Sequence, residues 1–300
     1  MAQVWSCTGI RWAVEGPALR WSGGRCSVLE WGKRVGFGVG EGGVRRCAGA
    51  RGNACAGRAV VGGRSTGGRC EECARLDRAH SVAADTFADD PRPYRVYLAW
   101  FGPGLLKVGI TAVERGSARL LEQGAVCFTW LGTGPLMAAR RTEELLRAAL
   151  RVPDRIPYAE KRAVRFRLPG TEEERAAEVR DLHARAVVLE GWPESLERAE
   201  CQPVDHVEAF GLGRRGDHRD HVAVGDVVEL RPGGFVSGEL AGAAGPDLHL
   251  AVAGHRGLVV LDTRLMSGWE LVPLAPGTGS GLTFPVRAFE NTGGTQDGLF

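Results

Sequence analysis

Between Tyr94 and Ala125 the chain reads YRVYLAWFGPGLLKVGITAVERGSARLLEQGA, and no other stretch constrains the fold as much. Two short apolar runs, RVYLAWF and LLKVGIT, flank a Gly-Pro-Gly turn. The first is aromatic and β-branched, which suits a buried strand. The second has the length and pattern of its antiparallel partner. Gly102, Pro103 and Gly104 supply the turn, because glycine tolerates positive φ and proline presets its own. The expected pairing runs from Tyr94 to Leu98 on one strand and from Leu106 to Thr111 on the other. After Thr111 the pattern changes to Arg, Glu, Ala and Leu, which predicts a helix starting between Ala112 and Ser117.

Around this α/β core the 300 residues suggest two or three small domains. Residues 1–43 alternate short apolar runs with glycine and predict a β-rich N-terminal segment. Residues 44–92 are rich in Gly, Arg and Cys and hold too few large apolar side chains to form a core unaided. Residues 93–200 carry the core and a connecting helix over 171–191. That helix is marked by Thr171 at its cap, Glu174 at the capping-box position and Gly191 after its end. Residues 221–275 return to short strands punctuated by Gly and Pro, as in a small β domain. Residues 276–300 lose periodicity and predict a loosely held tail. The fold class expected is therefore α+β.

Cys47, Cys55, Cys70 and Cys73 are spaced C-x7-C-x14-C-x2-C. The C-x2-C pair lets two thiolates converge on one ion, and the upstream pair completes a tetrahedral Zn²⁺ set. Four thiolates leave no open position, so the zinc expected is structural. His80 and Cys7 are alternative ligands. Cys26, Cys127 and Cys201 have no partner pattern. Eight cysteines without a basic n-region and an apolar h-region at the start argue for reduced thiols and a cytoplasmic protein. No run is apolar and long enough to span a membrane.

The strand–turn–strand–helix stretch resembles the GIY-YIG nuclease core. Arg95-Val96-Tyr97 sits where that superfamily has its first Gly-Ile-Tyr, and Lys107-Val108-Gly109 where it has Tyr-Ile-Gly. The closer resemblance is to the KVGIT-type offshoot. Arg119-Leu120 resembles the helix arginine, and Glu143-Glu144-Leu145-Leu146-Arg147 the helix that carries the metal-binding glutamate. The whole arrangement is similar to a bacterial family of unknown function with an N-terminal cysteine cluster. The resemblance implies Tyr97, Arg119, Glu143 and Lys107 as catalytic residues, with Glu143 holding one Mg²⁺. Arg115 and Glu144 are the fallbacks. Two departures weaken the catalytic side of the resemblance. The second tyrosine is Lys107, and the late asparagine of active members has no counterpart, since only Asn53 and Asn291 are present.

A net charge of +2 does not by itself imply a partner. Arginine supplies thirty-five of the 38 basic residues, a bias that high G+C codon usage accounts for. Arg140, Arg141, Arg147, Arg151, Arg155, Lys161, Arg162, Arg165 and Arg167 form a basic stretch suited to a phosphate backbone, or else a solvated helix and polar loop. The leading expectation is a nucleic-acid protein with Mg²⁺-dependent endonuclease activity. The alternatives are a non-catalytic binding module on the nuclease fold and a zinc-stabilised interaction protein.

Overall fold

The computed structural model describes residues 4–13, 16–79, 90–213 and 225–288. The N-terminal part holds β1 (Cys7–Ala13), β2 (Gly16–Trp21), β3 (Cys26–Val28) and β4 (Arg34–Val39). Helix α1 (Glu71–Ala79) closes the cysteine-rich region. The central part runs β5 (Pro93–Trp100), β6 (Leu106–Ala112), α2 (Ala118–Gln123), β7 (Cys127–Pro135), α3 (Leu136–Leu150), α4 (Tyr158–Arg165) and α5 (Glu172–Val187). Short strands β8 (Glu197–Arg198) and β9 (Val204–Asp205) follow. The C-terminal part holds β10 (Val227–Val228), β11 (Phe235–Ala244), β12 (Asp247–Ala251), β13 (Leu258–Asp262), the short α6 (Thr263–Met266), β14 (Leu271–Val272), β15 (Gly281–Leu282) and β16 (Val286–Arg287).

Strands β5 and β6 pair antiparallel from Tyr94 opposite Ala112 to Trp100 opposite Leu106, as the alternating pattern requires. Strand β7 covers the other edge of β5, in the order β6-β5-β7-β8 with β9 also on β7. A 3₁₀ turn over Val113–Arg115 precedes α2, so helical geometry begins inside the expected window although the α-helix starts at Ala118. The sheet is buried on both faces. Val96, Leu98 and Val108 pack with Leu146 of α3 and Leu182 of α5. Tyr97, Ala99 and Phe101 point the other way, onto Leu120 of α2 and Phe128 of β7. Leu98, Leu120 and Leu146 are fully enclosed, each contributing about 1.5–3 kcal/mol of apolar burial. Helix α5 carries the predicted cap: the Thr171 hydroxyl accepts from the Glu174 N–H, and the Glu174 carboxylate accepts from the Thr171 N–H.

The second large sheet joins both ends of the chain. Its order is β14-β4-β11-β12-β13-β10-β16, with β15 on β11. Strand β4, from the N-terminal segment, lies between β14 and β11, while β1 to β3 form a separate three-stranded sheet. That small sheet is tied to the large one by Trp12, whose indole N–H donates to the Gly245 carbonyl at 2.8 Å. Residues 276–288, expected to be loose, supply β15 and β16. Residues 289–300 lie outside the described ones.

Helix α4 joins this sheet to the central one through buried charge. Arg162 meets Asp247 at 2.6 Å and Asp262 at 3.0 Å, and Arg165 meets Asp247 at 3.0 Å. The Tyr158 hydroxyl donates to the Ala244 carbonyl at 2.7 Å.

Candidate functional site

The Tyr97 face of the central sheet gathers the polar side chains. Residues opposite one another in an antiparallel pair share a face, so Gly109 lies under Tyr97 and Lys107 beside Ala99. A Cβ at position 109 would collide with the Tyr97 hydroxyl. Glycine in the KVGIT run is therefore what lets the phenol lie across β6. At the end of α2, Gln123 reaches back over this face. Its Nε2 donates to Tyr97 Oη at 2.9 Å, and its Oε1 accepts from Lys107 Nζ at 3.1 Å. Gly124 then ends the helix in the left-handed conformation.

Burial and neighbouring charge shape the electrostatics. Tyr97 is 2% exposed, and burial raises its phenol above the ordinary value. Burial, then the Arg119 charge, lowers the Lys107 ammonium to about 8. Burial, then the Asp154 carboxylate, raises Glu143, while Lys107 acts in the opposite direction. Arg119 and Glu143 also act on Tyr97. The four residues expected from the sequence thus come from β5, β6, α2 and α3, with the Arg119 and Glu143 charges each acting on Tyr97 and Lys107. Arg119 is exposed and shares Glu122 with Arg115, which approaches that carboxylate to 2.7 Å against 3.4 Å for Arg119. Arg147 reaches Asp154 at 3.8 Å.

Two residues of this face were not singled out from the sequence as site residues. Gln123 had only its place in the QGA end of the helix as a signal. Lys161 was counted in the basic stretch, but it is buried: its Nζ sits 3.8 Å from the centroid of the Phe101 ring and donates to the Gln123 carbonyl at 3.4 Å. Burial, then the charge on Lys107, lowers it to about 7. The basic stretch therefore needs correction as a surface. Lys161, Arg162 and Arg165 turn inward, the two arginines onto Asp247 and Asp262. The signal missed was the placing of Arg162 and Arg165 with Tyr158 on one helix, whose partners lie some eighty to a hundred residues further along the chain.

The cysteine region has its own geometry. The sulfurs of Cys47, Cys55, Cys70 and Cys73 all lie within 4.8 Å of one another, and those of Cys55 and Cys70 are 3.9 Å apart. Tetrahedral thiolates on one zinc stand roughly 3.8 Å apart, from a Zn–S distance of about 2.3 Å. The group could therefore bind a metal such as zinc. Cys70 precedes α1 and Cys73 lies in its first turn. The N–H groups of Gly49 and Cys70 donate to Cys47 Sγ at 3.4 and 3.2 Å. Gly49 has φ +78, and a Cβ there would strike the Asn53 carbonyl. A backbone hydrogen bond from Ala59 pulls the Cys55 thiol down to about 7, while burial and the other thiols push Cys73 up to about 12. Four thiolates so close repel one another unless a cation sits among them. His80 lies outside the described residues, and Cys7 is buried in the N-terminal sheet, bonded locally to Gly9. Arg45 fixes the region to the large sheet, donating to the carbonyls of Ser267, Gly62, Gly63 and Arg264.

Among the described residues no helix is long and apolar enough to cross a membrane. Residues 40–271, most of the chain, match the model of a family described as protein of unknown function, DUF2797. No curated protein and no solved structure matches the chain.

Proposed function

Because the chain belongs to the DUF2797 family, whose description assigns no activity, function is read from the site, and we propose that the protein cleaves nucleic-acid phosphodiesters with Mg²⁺ on a GIY-YIG-like core. The observation that carries this reading is the gathering of Tyr97 and Lys107 on one sheet face, joined by Gln123, with the Arg119 and Glu143 charges from α2 and α3 acting on both. Phosphodiester hydrolysis needs a positioned water, positive charge on the phosphate and an offset for the leaving oxygen. Arg119, exposed and paired with a carboxylate that it shares with Arg115, is the phosphate clamp. Glu143, with Asp154 near it, offers the hard oxygen donors that Mg²⁺ prefers. Bound there, Mg²⁺ would polarise the phosphate. Tyr97 acts as a donor rather than a base, since burial keeps its proton on and Gln123 already occupies its oxygen as an acceptor. Lys107 takes the place of a second tyrosine and balances charge beside the Tyr97 ring, 5.8 Å from its centroid. We assign Zn²⁺ to the four cysteines in a structural role, and a reducing, cytoplasmic compartment suits those thiols.

One observation favours the binding-module reading. The Tyr97 phenol is so enclosed that a substrate oxygen reaches it only if Gln123 moves. Metal-loaded protein incubated with single- and double-stranded DNA and RNA, with and without Mg²⁺, separates the two. The nuclease reading expects Mg²⁺-dependent cleavage that Glu143→Gln abolishes while binding survives. Arg119→Ala should weaken both, because a phosphate clamp acts in ground and transition states alike. Cleavage by Glu143→Gln at the parental rate would refute the assigned site. Binding without any cleavage would replace the enzyme with the binder.

A further inference from the structure

Two ammonium groups are buried here without a carboxylate at ion-pair distance among the described residues, although the Glu143 and Asp154 charges act on Lys107. Lys107 is 9% exposed and Lys161 5%. Both bond to Gln123, one to its side-chain oxygen and one to its main-chain oxygen. Each ammonium carries three donors, and neither has an ion-pair partner among the described residues. The Phe101 and Tyr158 rings, 3.8 and 5.8 Å from Lys161 Nζ, offset part of its charge. The charges that act most strongly on Lys161 are Lys107, Arg165, Arg119 and Arg264, all positive. Arg165 and Arg264 are held by Asp247 and Asp262. Arg119 reaches solvent.

A buried cation without a partner is strongly disfavoured, and two on one glutamine more so. The unused donors point to an anion as the missing partner. We propose that Lys107, Lys161 and Gln123 form an anion site, entered past Arg119, that takes a phosphate group. A tetrahedral phosphate offers several oxygens to donors arriving from β6, α4 and the exposed arginine at once, and arginine forks suit that geometry. The choice of phosphate over other oxyanions rests on the nucleic-acid reading above; the anion site itself does not.

The chain has three lysines, Lys33, Lys107 and Lys161, so lysine-selective ¹³C labelling gives a spectrum of three Cε resonances. Inorganic phosphate is titrated into the full-length, metal-loaded protein against potassium chloride at matched ionic strength. Saturable shifts are expected in two resonances, with Lys33, exposed and far along the chain, unmoved; Lys33→Arg assigns it. Lys161→Met should weaken apparent phosphate affinity at least about tenfold, the loss of one charged hydrogen-bond partner. Shifts that are absent, non-saturable or equal in all three resonances overturn the site. Unchanged affinity in Lys161→Met does so too. The labelled parent protein decides the matter even where that variant does not fold. Phosphate binding without nucleic-acid cleavage removes only the nuclease reading, and cleavage without phosphate-specific shifts removes only this one.

Discussion

Lys161 and Arg162 are neighbours on one short helix, both buried, and they meet opposite surroundings. Arg162 turns toward the C-terminal sheet, where Asp247 and Asp262 receive it at 2.6 and 3.0 Å. Lys161 turns toward the Tyr97 face, where it finds an aromatic ring and a carbonyl. The first region is ion-paired: Arg162, Arg165 and the partly exposed Arg264 share the same two aspartates. The second leaves its charge open, and so does the cysteine cluster, with the opposite sign once its thiols ionise. In a folded chain, closed charge holds elements together and open charge marks where something from outside is expected. The comparison assigns structural work to Asp247 and binding work to Lys161, though the two lie in one neighbourhood.

The cysteine cluster should give the largest effect. Purified without chelator, the protein should carry one Zn²⁺, a contribution on the order of 10 kcal/mol for a site of this kind. Removal by chelator, or by acid that protonates the thiolates, should expose residues 47–79 to proteolysis and loosen the Arg45 anchor. Protein that contains no metal and resists protease equally with and without chelator would leave the cluster as four thiols and break the parallel with Lys161.

Next in size is the closed network. Asp247→Asn keeps shape but takes the carboxylate from buried Arg165 and leaves Arg162 to share Asp262 with Arg264, and breaking a buried pair in this way costs about 3–5 kcal/mol. Urea unfolding should show it as a lower midpoint with little change in slope. A loss under about 1 kcal/mol, the range of exposed pairs, would mean that these charges are not held as closed as they look.

How much of this could be read from the sequence follows the same division. Local chemistry was legible. The Gly-Pro-Gly hairpin, the Thr171 cap and the cysteine spacing each depend on residues close in the chain, and each appears as expected. The glycine of KVGIT was legible as a motif, though its reason, the Tyr97 ring crossing it, needed the strand register. Long-range closure was not legible. Nothing at Arg162 announces Asp247, and nothing at Arg34–Val39 announces its place between β11 and β14. A basic stretch reads as surface until its carboxylates are found. Gln123 was missed for a related reason: a neutral amide at a helix end carries no sequence signal, and it matters because two cations arrive beside it from elsewhere.

The smallest effect is the sharpest test of the comparison, because it has an unusual sign. If the Lys161 charge is open, the residue costs stability wherever it is ionised, and replacing it should stabilise the protein. Methionine preserves the length of the stem and can rest its sulfur on the Phe101 ring. Lys161 is lowered to about 7 in the folded chain by burial and by Lys107, Arg165, Arg119 and Arg264, against an ordinary value near 10.5. Between these values the unfolded chain binds the proton and the folded chain does not, so stability rises with pH there. Below about 7 both states are charged and the full cost is present. Lys161→Met should therefore exceed the parent by a few kcal/mol at most near pH 6.5 in chloride, since each pKa unit corresponds to about 1.4 kcal/mol. The advantage should fade toward pH 10, and phosphate should narrow it at the lower pH by stabilising only the parent. Paired urea titrations at the two pH values measure the difference, and titratable groups common to both proteins cancel. A variant less stable than the parent at pH 6.5 in chloride would show that the ammonium already has its counter-charge inside the fold, and Lys161 would then belong with Arg162.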